Sequence, residues 1–168
     1  MTTLAERLAK RKNLSPSLNI PFVHSGLYAE FASSLGKATN ELTVEEKEKA
    51  VKQLSQLTLT ITRLPQMTLT KVLRDASLST QRDAMGLDES SLEPSFRQSS
   101  FGVRYYEALL NQVIKHITGW SDETQPFNEP SLKIFIDSLT LDEQLNLAIQ
   151  YERAIAEEES AAAANPTK

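Results

Sequence analysis

Apolar residues along this chain recur mainly at helical spacing, and polar capping signals mark where several of the helices begin. Leu4 and Leu8 share one face of a short N-terminal helix. Thr3 and Glu6 open it, each placed to satisfy a free backbone N–H of the other. Arg7, Lys10, Arg11 and Lys12 surround the remaining faces. From Asn13 to Val23, Pro16 and Pro21 stop the helix, and the alternation of Leu18, Ile20 and Phe22 predicts an extended segment. Pro21 cannot donate to a ladder, which restricts that segment to a sheet edge or an irregular arm. Leu27, Phe31 and Leu35 stand in one line, which predicts a short helix stopped by Gly36.

Thr43 and Glu46 form a second capping box. Behind it Val44, Val51, Leu54, Leu57, Ile61 and Leu64 keep a helical period, which predicts a helix from about Val44 to Arg63. The run Leu57-Thr58-Leu59-Thr60-Ile61-Thr62 also alternates and is β-branched, so a strand stays open for that half. Pro65 ends either element. Leu69, Val72, Leu73 and Ala76 predict a further short helix. Residues 77–100 are polar, carry Gly86 and Pro94, and read as a linker or long loop.

The clearest amphipathic pattern follows, with Val103, Tyr106, Leu109, Leu110, Val113, Ile114 and Ile117 on one stripe and Gly119 as its left-handed cap. Pro130 suits the first turn of a helix carrying Leu132, Phe135, Ile136 and Leu139. Thr140 and Glu143 form a third capping box, ahead of a last helix with Leu141, Leu145, Ala148, Ile149 and Ile155. Glu157, Glu158 and Glu159 oppose the helix dipole at its C-terminal end, and Pro166 follows, so the end is expected to fray. The pattern as a whole predicts a mainly α fold: a small helical domain with an irregular N-terminal arm and a flexible C-terminal tail. Its divisions are an N-terminal helical region over 1–76, the linker over 77–100, a C-terminal helical region over 101–156 and the tail over 157–168.

Composition narrows the chemistry. The 168 residues are 40% apolar and 24% charged, the profile of a chain that folds. The net charge of −4 disfavours bulk nucleic-acid binding, although the basic cluster from Arg7 to Lys12 is the segment that would serve it. More commonly such a cluster is a solvated face. With no cysteine, disulfides, thiolate metal sites and cysteine nucleophiles are excluded. The five scattered glycines assemble no phosphate-cradling loop. No apolar run approaches the roughly 18 residues of a membrane span, and the first twelve residues lack the apolar core of a secretory signal. A cytoplasmic location is the expectation.

Candidate sites are correspondingly few. His24 and His116 are the only histidines, and neither has the converging ligands that a metal requires. Asp122, Glu123 and Glu129 form an acidic loop whose spacing matches no calcium loop, so a solvated loop is the reading. Ser90, Ser91, Ser95, Ser99 and Ser100 lack the context of a nucleophile elbow, and Ser100 reads as a helix cap. Trp120 and Phe127 flank the acidic loop, and either close the end of the core or anchor a partner. The expectation is therefore no catalytic residue, no metal and no cofactor.

One stretch has a familiar order. An apolar helix ends Val113-Ile114-Lys115-His116-Ile117-Thr118-Gly119-Trp120, an acidic loop follows, then Pro126-Phe127-Asn128-Glu129 and two closing helices with Tyr151 in the last. From Tyr105 to about Asn165 this resembles the tail assembly chaperones of long-tailed bacteriophages. The resemblance implies a non-enzymatic helper that coats and solubilises the tape-measure protein until the tail tube polymerises around it. It implies a protein partner, with contacts at Trp120, Phe127 and Tyr151, and leaves homo-oligomerisation and a longer read-through form open. The alternative is a structural or scaffolding component of a virion or other assembly, gripping its neighbours through the Leu18–Val23 segment and the C-terminal tail.

Overall fold

The structure, a computed structural model, describes residues 3–12, 14–85 and 94–164, and side chains of Arg11, 80–85 and 94–100 lie outside that description. The fold is mainly α, with seven α-helices and one small sheet among the described residues. In chain order the elements are α1 (Leu4–Lys12), β1 (Ser17–Pro21), α2 (Leu27–Ser34), a 3₁₀ turn (Thr39–Glu41), α3 (Val44–Leu54), β2 (Thr58–Thr62), α4 (Gln66–Met85), α5 (Pro94–Lys115), β3 (Ile117–Trp120), α6 (Glu129–Ser138) and α7 (Leu141–Ala164). The chain divides into two compact units. Met1–Arg63 joins Ile117–Lys168 in the first, and Leu64–His116 is the second.

The first unit is organised by a three-stranded antiparallel sheet in the order β1-β2-β3. Leu18 pairs with Ile61 and Ile20 with Leu59, so alternate residues of both strands share the buried face. This register decides the ambiguity at Leu57–Thr62. A helix would set Leu59 and Ile61 about 200° apart and expose one of them. The strand buries both completely, and each buried aliphatic side chain stabilises by about 1.5–3 kcal/mol. The helix expected to reach Arg63 therefore stops at Leu54, and a strand follows. On the other face Thr58, Thr60 and Thr62 stay half-exposed, and the Thr60 hydroxyl donates to Asn19 Oδ1 at 3.2 Å.

β3 completes the sheet, pairing Ile61 with Ile117, Thr60 with Gly119 and Leu59 with Trp120 across a bulge. Gly119 is thus a strand residue, and among the described residues the positive-φ glycines are Gly26 and Gly36. The strong helix ends at Lys115 because Ile117 onward finds ladder partners in β2. α7 packs against β1, with Leu147, Ala148 and Tyr151 buried. A second buried cluster joins α2 to α3 through Val23, Leu27, Phe31, Ala32, Leu42, Ala50 and Val51.

The capping signals are realised. Thr3 with Glu6, Thr43 with Glu46, and Thr140 with Glu143 each exchange two backbone-to-side-chain bonds of 2.8–3.3 Å. α2 stops as expected at Gly36, whose φ of 66° lets Lys37 N–H reach Ala32 O at 3.0 Å.

The second unit is an antiparallel pair of long helices, α4 and α5. The segment read as a linker, 77–100, is largely helical where it is described. α4 runs to Met85 and α5 begins at Pro94, while 86–93 lie outside the description, Ser90 and Ser91 among them. Val72 and Ala76 on α4 and Leu109, Leu110 and Val113 on α5 are buried. The Arg104 guanidinium donates to the Ser79 hydroxyl. Partnership between the helices carries sparse apolar positions that neither would sustain alone. Ser100 lies inside α5 instead of capping it.

The expected fraying from Glu157 also differs from what is observed. α7 continues to Ala164, and 165–168 lie outside the description. Glu158 meets a partner that local sequence does not reveal: Arg63 Nη2 donates to it, and Ser15 N–H donates to its other oxygen at 2.6 Å.

Candidate functional site

The sequence-predicted contact residues separate into two environments. Trp120 closes β3, Phe127 follows on the loop, and their rings meet edge to face at 4.9 Å. Phe135 of α6 lies 6.1 Å from Trp120 and 5.3 Å from Phe22, which extends β1 beyond Pro21. Edge-to-face contacts of this kind add roughly 0.5–1.5 kcal/mol each beyond area burial. Four aromatic side chains therefore form one continuous corner at the end of the sheet. Tyr151 does not join them. It is 1% exposed within the core of the same unit and presents no surface to a partner, which corrects its expected role. A tyrosine one turn beyond Leu147 and Ala148 continues the buried stripe of α7, and that stripe outweighed any surface reading.

The corner is open. Leu57, Trp120, Ile134 and Phe135 line a cleft of about 240 Å³, with Asp122, Gln125 and Ser131 at its polar side. Phe127 is 38% and Ile134 is 70% exposed. The Trp120 indole N–H donates to Gln125 O at 2.8 Å, which fixes the ring as a wall of the cleft. Asn128 caps α6 by accepting Ser131 N–H at 2.9 Å, and Pro130 occupies the first turn as expected. Ile134 and Leu57 were not singled out from sequence as contact residues. The signal was present for Ile134: Ile134-Phe135-Ile136 spans too wide an arc of α6 for one buried stripe.

The acidic loop is ordered by its own bonds. Asp122 Oδ1 accepts the Thr124 hydroxyl at 2.6 Å and Thr124 N–H at 2.9 Å, and these bonds hold its carboxyl below the ordinary aspartate value. Similar local causes account for the other shifted carboxylates. Lys37 and the Thr43 N–H lower Glu46. Partial burial raises Glu143, but bonds from Ser25 N–H at 2.8 Å and from Thr140 outweigh it and bring the carboxyl below its usual value. Burial pushes the Tyr28 hydroxyl up, partly offset by Arg153 and Gln150. His116 Nδ1 lies 2.6 Å from Gln112 O on its own helix, and no group of three His, Asp or Glu side chains that could hold a metal occurs among the described residues.

No family model, curated protein sequence or solved structure matches this chain.

The second unit carries a larger concavity, about 900 Å³, along α4 and α5. Its lining is mixed, with Lys71, Arg74, Asp75 and Lys115 beside the apolar Met67, Val72 and Ala108. It lacks the aromatic anchors of the corner. No helix among the described residues is long and apolar enough to cross a membrane.

Proposed function

We propose that this chain is a non-enzymatic binding protein, a tail assembly chaperone of a long-tailed bacteriophage that coats and solubilises the tape-measure protein in the host cytoplasm. The observation that carries the reading is the open aromatic corner, where Phe127 and Ile134 stand exposed around a cleft walled by Trp120, Phe135 and Leu57. Clustered aromatic side chains in a pocket are the usual energetic centre of a protein contact. Trp120, Phe127, Ile134 and Phe135 of the corner fall inside the stretch, Tyr105 to about Asn165, that resembles the chaperones, while Phe22 and Leu57 come from outside it. A long helical client exposes apolar stripes that aggregate, and a helix seated in an apolar cleft is a recurrent way of covering them. Many copies along one client would gain avidity without tight single sites. The alternative, a structural virion component, drew on Leu18–Val23 as a gripping segment. Ser17–Pro21 is already paired to β2, which weakens that support.

The test is co-expression with the candidate tape-measure protein encoded nearby. The expected result is a soluble client that carries many copies of this chain through purification, and Phe127→Ala with Ile134→Asp abolishes the effect. A client that stays insoluble while this chain purifies alone overturns the reading.

A further inference from the structure

The cleft has a charge as well as a shape. At about 240 Å³ it lies below the roughly 300–1,000 Å³ of small-molecule sites, a size suited to one apolar side chain. Its single charged lining residue is Asp122. Both Thr124 bonds fall on Asp122 Oδ1, and they hold the carboxyl below the ordinary aspartate value. The neighbouring exposed charges are mostly of the same sign: Glu123 adjoins Asp122, and Asp137 lies one turn beyond Ile134. Lys133, the one cation of α6, does not line the cleft.

We propose that the corner selects a basic amphipathic helix, one apolar side chain entering between Trp120 and Ile134 while a Lys or Arg one turn away meets Asp122. Residues three or four apart on a helix lie on one face, so an apolar anchor and a cation at that spacing present themselves together. The apolar walls supply the anchor contact. The carboxylate supplies selection, because an acidic helix brought to the same cleft would place like charges together. The inference rests on the binding-protein reading and adds the chemistry of the segment that is bound.

The test uses the full chain and two synthetic amphipathic peptides that share one Leu/Phe stripe, one with a Lys/Arg polar face and one with a Glu polar face. Trp120 is the only tryptophan, so its fluorescence reports the cleft directly. The basic peptide is expected to bind about tenfold tighter at low salt, with the difference closing at about 0.5 M salt. Asp122→Asn keeps an acceptor for Thr124 and is expected to weaken the basic peptide about threefold while tightening the acidic one by a smaller factor. Equal affinities at low salt, preference for the acidic peptide, no binding of either, or an Asp122→Asn chain that binds as the parent does would each overturn the proposal. Solubilisation of the tape-measure candidate that survives in Asp122→Asn without any charge preference refutes this inference and leaves the chaperone reading standing. Preference for the basic peptide in a chain that fails to solubilise the client does the reverse.

Discussion

Arg63 and Glu158 pair across ninety-five residues of sequence, joining the end of β2 to the last turns of α7. The contact is three-sided. Arg63 Nε donates to Ser15 O at 3.0 Å, and Ser15 N–H donates to Glu158. Both charged side chains are largely shielded, 17% and 21% exposed, so the pair is screened less than a free surface pair. A double-mutant cycle with Arg63→Ala and Glu158→Ala is expected to return a coupling of about 1 kcal/mol in urea unfolding. Additive single effects would mean that the pair contributes nothing to holding α7.

Tyr151 and Phe127 are expected to fail in opposite ways. Tyr151→Ala empties a fully buried site and is expected to cost about 3–5 kcal/mol of stability, in the range of large core truncations. Phe127→Ala truncates a side chain already 38% exposed and is expected to cost less than about 1 kcal/mol while removing client binding. Denaturant titration beside the co-expression assay separates the two. A Tyr151→Ala chain of parental stability would contradict the core placement.

Glu143 makes stability depend on pH in one direction. It bridges two segments, taking the Thr140 N–H of its own capping box and the Ser25 N–H that precedes α2. Its folded carboxyl lies below the ordinary glutamate value of 4.5. The folded state therefore favours the ionised form, and the contribution is fully present above that value and disappears as pH falls through the lower folded one. Unfolding free energies compared at pH 7, 5 and 3 should show a steeper loss for the parent than for Glu143→Gln. Identical slopes would remove Glu143 as a source of acid sensitivity.

Much of this fold is legible in the sequence, because the information is local. The three capping boxes, the Gly36 stop and the Pro130 start each depend on residues within one helical turn, and each forms as expected. Where the reading and the structure part, the deciding partner is distant. Leu57–Thr62 becomes a strand because Leu18 and Ile20 sit beside it. Gly119 is extended because Thr60 waits opposite. The polar segment after Ala76 is helical because α5 lies along it. Glu158 belongs to a held helix because of Arg63. At the candidate site, the edge-to-face contact of Trp120 with Phe127 arises from the fold of the loop between them, whereas Tyr151 is one more step of an apolar stripe. The cleft itself, with Leu57 and Ile134, required the third dimension.

The interruption of the first unit by the second sets an order of events on the ribosome. Translation delivers β1 and β2 early, and a two-stranded ribbon is marginal by itself. The strand that completes the sheet emerges only after the whole α4–α5 hairpin has been made. That hairpin closes largely through neighbours near in sequence and can form as it leaves the exit tunnel, whereas the sheet bears the closure entropy of the intervening loop. Until β3 has been made, Leu59 and Ile61 lack the strand that completes their sheet.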